Sequence, residues 1–368
     1  MGSGSRPRIA SSPTTAGRSR SRARRARVPA SPSRCRCTAR GSGPDPGVSR
    51  PDAPTPTSAP AVVARVDFGA CVLLLDDGTL LAAHARGRLM GHRKSLGNAI
   101  VVGDRVHFER GRGGATHARD TVVSRVEPRR SHFSRRVSGR RAAEQVVAAN
   151  LDQVVLVASV AEPGFSRGLA DRVLCQAEHL GLPARLVLNK SDLAGSTPDT
   201  DPDAIRDDYE RASIPTHRAC AKTQEGLEAL RQACLGRRSL FVGHSGVGKS
   251  TLLNALVPGL DLLEGAVNEK TGKGRHTTTA AVLVRPAPDF ELIDTPGVRA
   301  FGPWGIGPAD LDRTYREFRP FLGACRFRDC RHAGEPGCAV AEAAAAAHIA
   351  PRRYDSYRRL LSELEPES

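Results

Sequence analysis

Between residues 61 and 128 short apolar runs alternate with turn residues: AVVARVDF, ACVLLL, the turn Asp76-Asp77-Gly78, TLLAAHA, AIVVGDRVHFER and DTVVSRVEP. About five short strands with period-two stretches and regular turn signals predict a small β-barrel, of the OB type in preference to others. From residue 142 the period changes. LDQVVLVASV reads as a buried strand, FSRGLADRVLCQAEHLG as a helix with a glycine stop, and PARLVLNKSDL as a second buried strand. SLFV, the helically spaced STLLNALV, AAVLVRP and FELIDTPG continue the alternation. Such units predict a mainly parallel sheet covered on both faces, with ligands bound at the carboxyl ends of its strands. Beyond residue 304, PADLDRTYREFRPFL, AVAEAAAAAHIA and PRRYDSYRRLLSEL predict helices, the last with proline in its first turn.

A chain of 368 residues has room for two or three domains with cores of their own, and with only 4% aromatic residues those cores must be built from Val, Leu and Ala. Charge changes the picture more. The formal balance is +16 and the pI about 10.2, which calls for an anionic partner such as nucleic acid. Residues 1–60 hold twelve Arg against two Asp, with almost no large apolar side chain, so this tail is expected to be disordered. Three roles are open to it: an RNA-binding arm, an Arg- and Ser-rich organellar transit segment, or an extension without function. Residues 128–141 carry six Arg and read as a basic connector that either tracks RNA or merely links two domains. The barrel's loops are basic too, through Arg86, Arg88, His92, Arg93 and Lys94, and through Arg110 and Arg112. An OB barrel with such loops suits RNA phosphates, while Phe68 and Phe108 are either stacking platforms or core. Nothing approaches the apolar length of a membrane span and the tail has no secretory h-region, so a soluble intracellular protein, without a membrane partner, is expected.

The segment with the most specific chemistry is SLFVGHSGVGKST at 239–251, lying between a strand and a helix. Gly243, Gly246 and Gly248 let the backbone curl around phosphates, and the new helix adds the positive end of its dipole. In this phosphate-binding loop, with His244, Ser245 and Val247 between the glycines, Lys249 reaches the β- and γ-phosphates. Ser250, next to Thr251, holds Mg²⁺. At the end of an earlier strand, Asn189-Lys190-Ser191-Asp192 selects guanine: Asp192 accepts from N1–H and the N2 amino group, a donor pair adenine lacks. Asn189 reaches the other edge and Lys190 lies over the base, with Cys220-Ala221-Lys222 supporting it from one strand later. Residues 263–279 read as a switch segment in which Thr277 or Thr278 completes the Mg²⁺ shell. FELIDTPG then delivers Asp294 to the metal's water shell and the Gly297 N–H to the γ-phosphate.

Most of the nine cysteines are scattered singly, but Cys325, Cys330 and Cys338 cluster and with His332 form a compact Cys₃His set. Three thiolates and an imidazole leave no open position, so one structural Zn²⁺ is expected, in place of a core this segment is too small to build. Cys71, Cys175, Cys220 and Cys234 read as small buried hydrophobes.

The nucleotide motifs resemble those of the translational GTPase class in a rotated order. The base motifs (189–192, 220–222) precede the phosphate loop (243–250), the switch threonines (277–279) and DTPG (294–297), which implies a circularly permuted P-loop GTPase domain. Barrel, permuted GTPase and zinc cluster together resemble the small-ribosomal-subunit-dependent GTPase A (RsgA) family over residues 61–365, with GHSGVGKST, GRHTTT, DTPGVR and the Cys/His spacing in the family's order. The expected fold class is thus α/β: a tail (1–60), an OB-type barrel (61–128), a basic linker (129–142), the permuted GTPase domain (143–304) and a helical zinc domain (305–368). The resemblance implies a cytoplasmic, monomeric enzyme that hydrolyses GTP to GDP with Mg²⁺, is stimulated by the small (30S) ribosomal subunit in late maturation, and binds its rRNA. An organellar address in the tail would move that substrate. Val298 stands where many GTPases keep a water-orienting Gln, and the resemblance hands that catalytic role to His276 of GRHTTT, whose imidazole can hydrogen-bond water. Cys220 departs from the more usual Ser. A GTP-gated RNA scaffold with incidental hydrolysis, and a permuted GTPase of large-subunit assembly, are the alternatives.

Overall fold

Alternate side chains close the first sheet on itself. The computed structural model describes residues 58–67, 70–85, 99–110, 121–137, 143–195, 199–258, 280–298 and 300–365. Strands β1 (Ala59–Asp67), β2 (Ala70–Leu74), β3 (Leu80–Ala85), β4 (Arg105–Arg110) and β5 (Thr121–Val126) pair in the order β1-β2-β3-β5-β4 and back to β1, a closed five-stranded OB-like barrel. Ala61, Val63, Cys71, Leu73, Val106 and Phe108 alternate into its interior. Phe108 is therefore core, not a stacking platform; Phe68, the Arg86–Lys94 loop and Arg112 lie outside the described residues, as do residues 1–57 of the tail, whose last two positions, Ala59 and Pro60, already belong to β1. Val62 and Ala64 on the other face of β1 join the next domain's core, so β1 is buried on both sides.

The long run at 99–110 is strand only from Arg105, because Gly103 (φ +88°) turns the chain and the Asp104 carboxylate caps the turn by accepting from Val101 N at 2.8 Å. A Cβ on Gly103 would lie 2.2 Å from Ala149 O, so only glycine permits this approach. The segment read as a basic connector contains β6 (His132–Val137), which pairs antiparallel with β7 (Ala143–Ala149). Arg129 donates to both oxygens of the buried Asp104, at 2.7 and 2.9 Å, and so fixes the hairpin's base to the barrel.

β8 (Gln153–Ser159), α1 (Arg167–His179), β9 (Ala184–Asn189), α2 (Pro202–Glu210), β10 (Thr216–Arg218), α3 (Leu227–Cys234), β11 (Arg237–Gly243), α4 (Lys249–Leu256), β12 (Val282–Ala287) and β13 (Phe290–Asp294) build the central domain. Its strand order is β10-β9-β8-β11-β13-β12, parallel except for β12, which also touches β1. Alternation again splits the strands between two layers: Val154 and Leu156 face one core, Val155 and Val157 the other.

The carboxyl-terminal domain departs from its expected helices in one place. Residues 308–322 form two short 3₁₀ turns, Asp312–Thr314 and Arg316–Phe321, separated by the extended Tyr315 and interrupted by Pro320, which an α-helix would not tolerate. α5 (Ala339–Ala345) and α6 (Pro351–Leu364) follow. Arg353 of α6, only 2% exposed, donates to Glu317 Oε1 at 2.7 Å and to Asp171 of α1, and lies 4.6 Å from the Tyr315 ring centroid and 5.0 Å from that of Tyr209. Removing one partner of such a buried charge is costly. Asp171→Ala is expected to lower unfolding stability in urea by about 3–5 kcal/mol, whereas Arg359→Ala on the exposed face should change it by less than about 0.5 kcal/mol; similar values for the two would overturn this assignment.

Candidate active site and metal centre

Parallel pairing sets Ser159 beside Asn189, Gly243 beside Val157 and Phe241 beside Asp294, so four strands end on one edge of the sheet. From that edge β11 passes into a loop that re-enters as α4 at Lys249. Gly246 (φ +89°) and Gly248 (φ +83°) hold left-handed conformations, and a Cβ on Gly248 would meet Asn189 Nδ2 at 2.6 Å. The loop's backbone is thus kept free of side chains where a phosphate chain would lie, ahead of a helix whose dipole favours anions. Lys249 is buried, 6% exposed, with its ammonium against the Asp294 carboxylate at the end of β13. Burial pushes the Asp294 carboxyl up, and the Lys249 charge opposes that shift. Ser250 is half-buried on the first turn of α4, beside the exposed Thr251.

The DTPG turn packs directly on this loop. Val298 N donates to Gly243 O at 3.0 Å, His244 and Val298 form a parallel bridge, and a Cβ on Gly297 would fall 2.8 Å from Ser245 Cα. Thr295 Oγ1 donates to Phe241 O at 2.7 Å, which anchors the turn to β11. His276, Thr277 and Thr278 lie outside the described residues.

At the base-reading end, Asn189 Nδ2 donates to Val247 O at 2.9 Å and so ties this motif to the phosphate loop. Its Oδ1 is buried with no hydrogen-bond partner among the described residues. Lys190 takes a left-handed backbone (φ 58°), and its ammonium contacts Glu162 O. Asp192 Oδ1 accepts from the Cys220 thiol at 3.2 Å, while Oδ2 lies 3.8 Å from Lys222 Nζ. Cys220 is therefore more than a small hydrophobe: it orients the carboxylate. Glu225, which sequence reasoning passed over, accepts from Ser191 Oγ at 2.9 Å and from Cys220 N through its backbone at 3.0 Å, clamping the two base-side segments together. Its turn position offers no signal of that role in the sequence.

In the carboxyl-terminal domain, the Sγ atoms of Cys325, Cys330 and Cys338 lie 3.5, 3.6 and 3.4 Å from His332 Nδ1. All four ligand atoms are within 4.8 Å of one another. Zn–S and Zn–N bonds of ordinary length at a tetrahedral angle put such atoms about 3.6 Å apart, so the set fits one structural Zn²⁺ with no position left over. His332 Nε2 faces Asp312 Oδ2 at 3.5 Å, the outer carboxylate that fixes an imidazole ligand's orientation. Asp312 stands twenty positions before its partner, and no spacing rule would have singled it out.

A family model described as RsgA GTPase matches residues 126–304. Small ribosomal subunit biogenesis GTPase RsgA of Gemmatimonas aurantiaca is 44% identical over 309 residues, spanning 84% of this chain and 98% of that protein. The chain belongs to the RsgA GTPase family. The RsgA protein of Azotobacter vinelandii is 44% identical over 271 residues, covering 73% of this chain and 76% of its own length. Among solved structures, YjeQ from Thermotoga maritima matches with TM-score 0.60 at 28% identity, over 85% of this chain and all (100%) of that one. YloQ, a circularly permuted GTPase, shares the fold with TM-score 0.61 at 22% identity, over 85% of this chain and 98% of its own. As an RsgA-family GTPase the chain is a hydrolase, and its motif order is that of a permuted domain.

Two outcomes follow from this geometry. Asp192→Asn replaces an acceptor with a donor opposite position 2 of the base, so GTP affinity should fall about 100-fold while xanthosine triphosphate, with a carbonyl there, binds better than to wild type; fluorescent-nucleotide competition measures both. Cys338→Ser should reduce bound zinc from one equivalent and lower the melting temperature of the carboxyl-terminal domain, read by metal analysis and calorimetry; full zinc occupancy in the variant would contradict the ligand set.

Proposed function

We propose that this chain is a cytoplasmic GTPase of late small-subunit maturation, which binds the small ribosomal subunit and its rRNA as a monomer and alternates between GTP and GDP. The observation that carries this reading is the convergence of residues 189–192, 243–250 and 294–297 on one sheet edge, between a closed barrel and a zinc domain. The match over 98% of the length of a relative named for small-subunit biogenesis supports the same conclusion.

In this reading Asn189, Lys190, Asp192, Cys220, Ala221 and Lys222 hold guanine. The loop from Gly243 through Thr251 wraps the phosphates, Lys249 neutralises the β- and γ-oxygens, and Ser250, Thr278 and Asp294 hold Mg²⁺ and its waters. The ion supplies charge compensation at the phosphates when bound. Gly297 offers its N–H to the γ-phosphate. Val298 packs against the apolar core of the central domain and carries no group that could orient water, so intrinsic turnover is slow and the water-positioning role passes to His276.

Hydrolysis should rise at least tenfold when purified small subunits are added and stay at the basal level with large subunits, measured by phosphate release. His276→Ala should reduce the stimulated rate about 100-fold with unchanged GTP affinity. Equal rates with and without small subunits would sink the ribosomal assignment, and an unaffected His276→Ala rate would move catalysis to another group or favour a scaffold.

A further inference from the structure

The zinc loop carries a side chain that the fold does not use. Phe327 stands 43% exposed between two zinc ligands, Cys325 and Cys330. The aromatic cluster beneath is already closed, with the rings of Tyr315, Phe318 and Tyr357 packed at centroid distances of 4.8–5.2 Å. A phenyl ring in water forgoes the gain of burial, and this one cannot fold back. Both ends of its turn are metal ligands, Arg326 N donates to Gly337 O at 2.9 Å, and Cys330 N donates to Phe327 O at 3.3 Å. The ring is therefore presented outward on a pinned turn.

What surrounds the ring decides what can cover it. The Arg326 guanidinium carbon lies 5.5 Å from the Phe327 ring centroid. Arg326 and Arg328 are exposed and have no carboxylate partner among the described residues. Arg331 makes only a surface pair with Glu365 at 2.7 Å. Of the loop's acids, Glu335 is turned onto the loop's own amides, accepting from Arg331 N and Ala333 N at 2.8 Å, and with Asp329 it sets two carboxylates against the three guanidiniums of Arg326, Arg328 and Arg331. The matching ligand has a flat π-face for the ring and regularly spaced negative charge for the guanidiniums. Unpaired RNA has both at every nucleotide, whereas a protein loop supplies them only where aromatic and acidic side chains happen to alternate.

We infer that the turn at residues 326–328 is a nucleobase-stacking site, in which an unpaired base of single-stranded RNA lies on Phe327 and the adjoining phosphates sit on Arg326 and Arg328. This rests in part on the proposed ribosomal role, because it names an interaction that role would use, but it is tested without ribosomes. The full-length, zinc-loaded chain with Phe327→Trp is titrated with a short single-stranded oligoadenylate and with an abasic oligomer of equal charge. Wild type, whose single Trp is Trp304, supplies the background. The expected result is quenching of the new indole by the base-bearing oligomer and none by the abasic one. Phe327→Ala, with its zinc content unchanged, should bind the oligoadenylate about tenfold more weakly, the equivalent of ~1.4 kcal/mol. Replacing Arg326 and Arg328 with Ala should flatten the salt dependence of binding, by roughly 0.7 in log–log slope for each phosphate left without its guanidinium. Equal quenching by both oligomers, or wild-type affinity in Phe327→Ala, would overturn the site; so would a response to RNA-free ribosomal protein in place of RNA. Small-subunit stimulation of wild-type hydrolysis is measured alongside, so a failure of the ribosomal reading shows separately from a failure of stacking.

Discussion

The register of three parallel strand pairs is the constraint on which the rest of this molecule depends. Because β8 pairs with β9 and β11, and β11 with β13, the chain must bring Asn189, Gly243 and Asp294 to the same edge, whatever order they occupy in sequence. Hydrogen-bond geometry in a parallel ladder is indifferent to where the chain is cut and rejoined, so a permuted domain keeps its site. Tight glycine contacts then lock the loops above that edge, through Gly248 against Asn189 and Gly297 against Ser245. A slip of one residue in any of these pairs would turn core side chains to the wrong face and separate the charged groups as well.

Permutation also changes what the DTPG turn is connected to. Past Val298 the chain leaves the nucleotide edge and is held by the hairpin: Phe301 stacks on Phe133 at 5.7 Å, and Arg136 N donates to Gly302 O at 2.8 Å. The same hairpin is tied at its base to the barrel, where Ala149 N donates to Val102 O at 2.9 Å and Asn150 Nδ2 to Gly103 O at 3.0 Å. A contiguous set of packed and hydrogen-bonded groups thus joins the DTPG turn to the barrel. Gly103 is its narrowest point, receiving Arg238 Nη1 at 2.8 Å on the same carbonyl.

Much of this was legible in the sequence because its physics is local. Alternation at 61–74 and the apolar runs of the central strands follow directly from burial on one face or two. The phosphate loop, Asn189-Lys190-Ser191-Asp192 and the Cys₃His set carry their chemistry in short spacings. What escaped depends on distant partners. β6 looked like a charged connector because its arginines point to solvent while only Phe133 and Ser134 are buried. The helix expected at 308–322 gave way to 3₁₀ turns because Tyr315 and Phe318 are drawn into the cluster around Tyr357. Glu225 and Asp312 act on groups that only the tertiary fold places beside them.

Arg353 lies 182 residues after Asp171, so its counter-charge is synthesised and folded long before it arrives. Until α6 docks, the carboxylate on α1 has no cation to offset it, and α6 has no low-cost place to put its guanidinium. The final segment can therefore settle only on a central domain that is already correctly assembled. A nascent chain that stalls or is cleaved before residue 353 leaves Asp171 and Glu317 without their shared guanidinium, by which an unfinished molecule differs from a finished one.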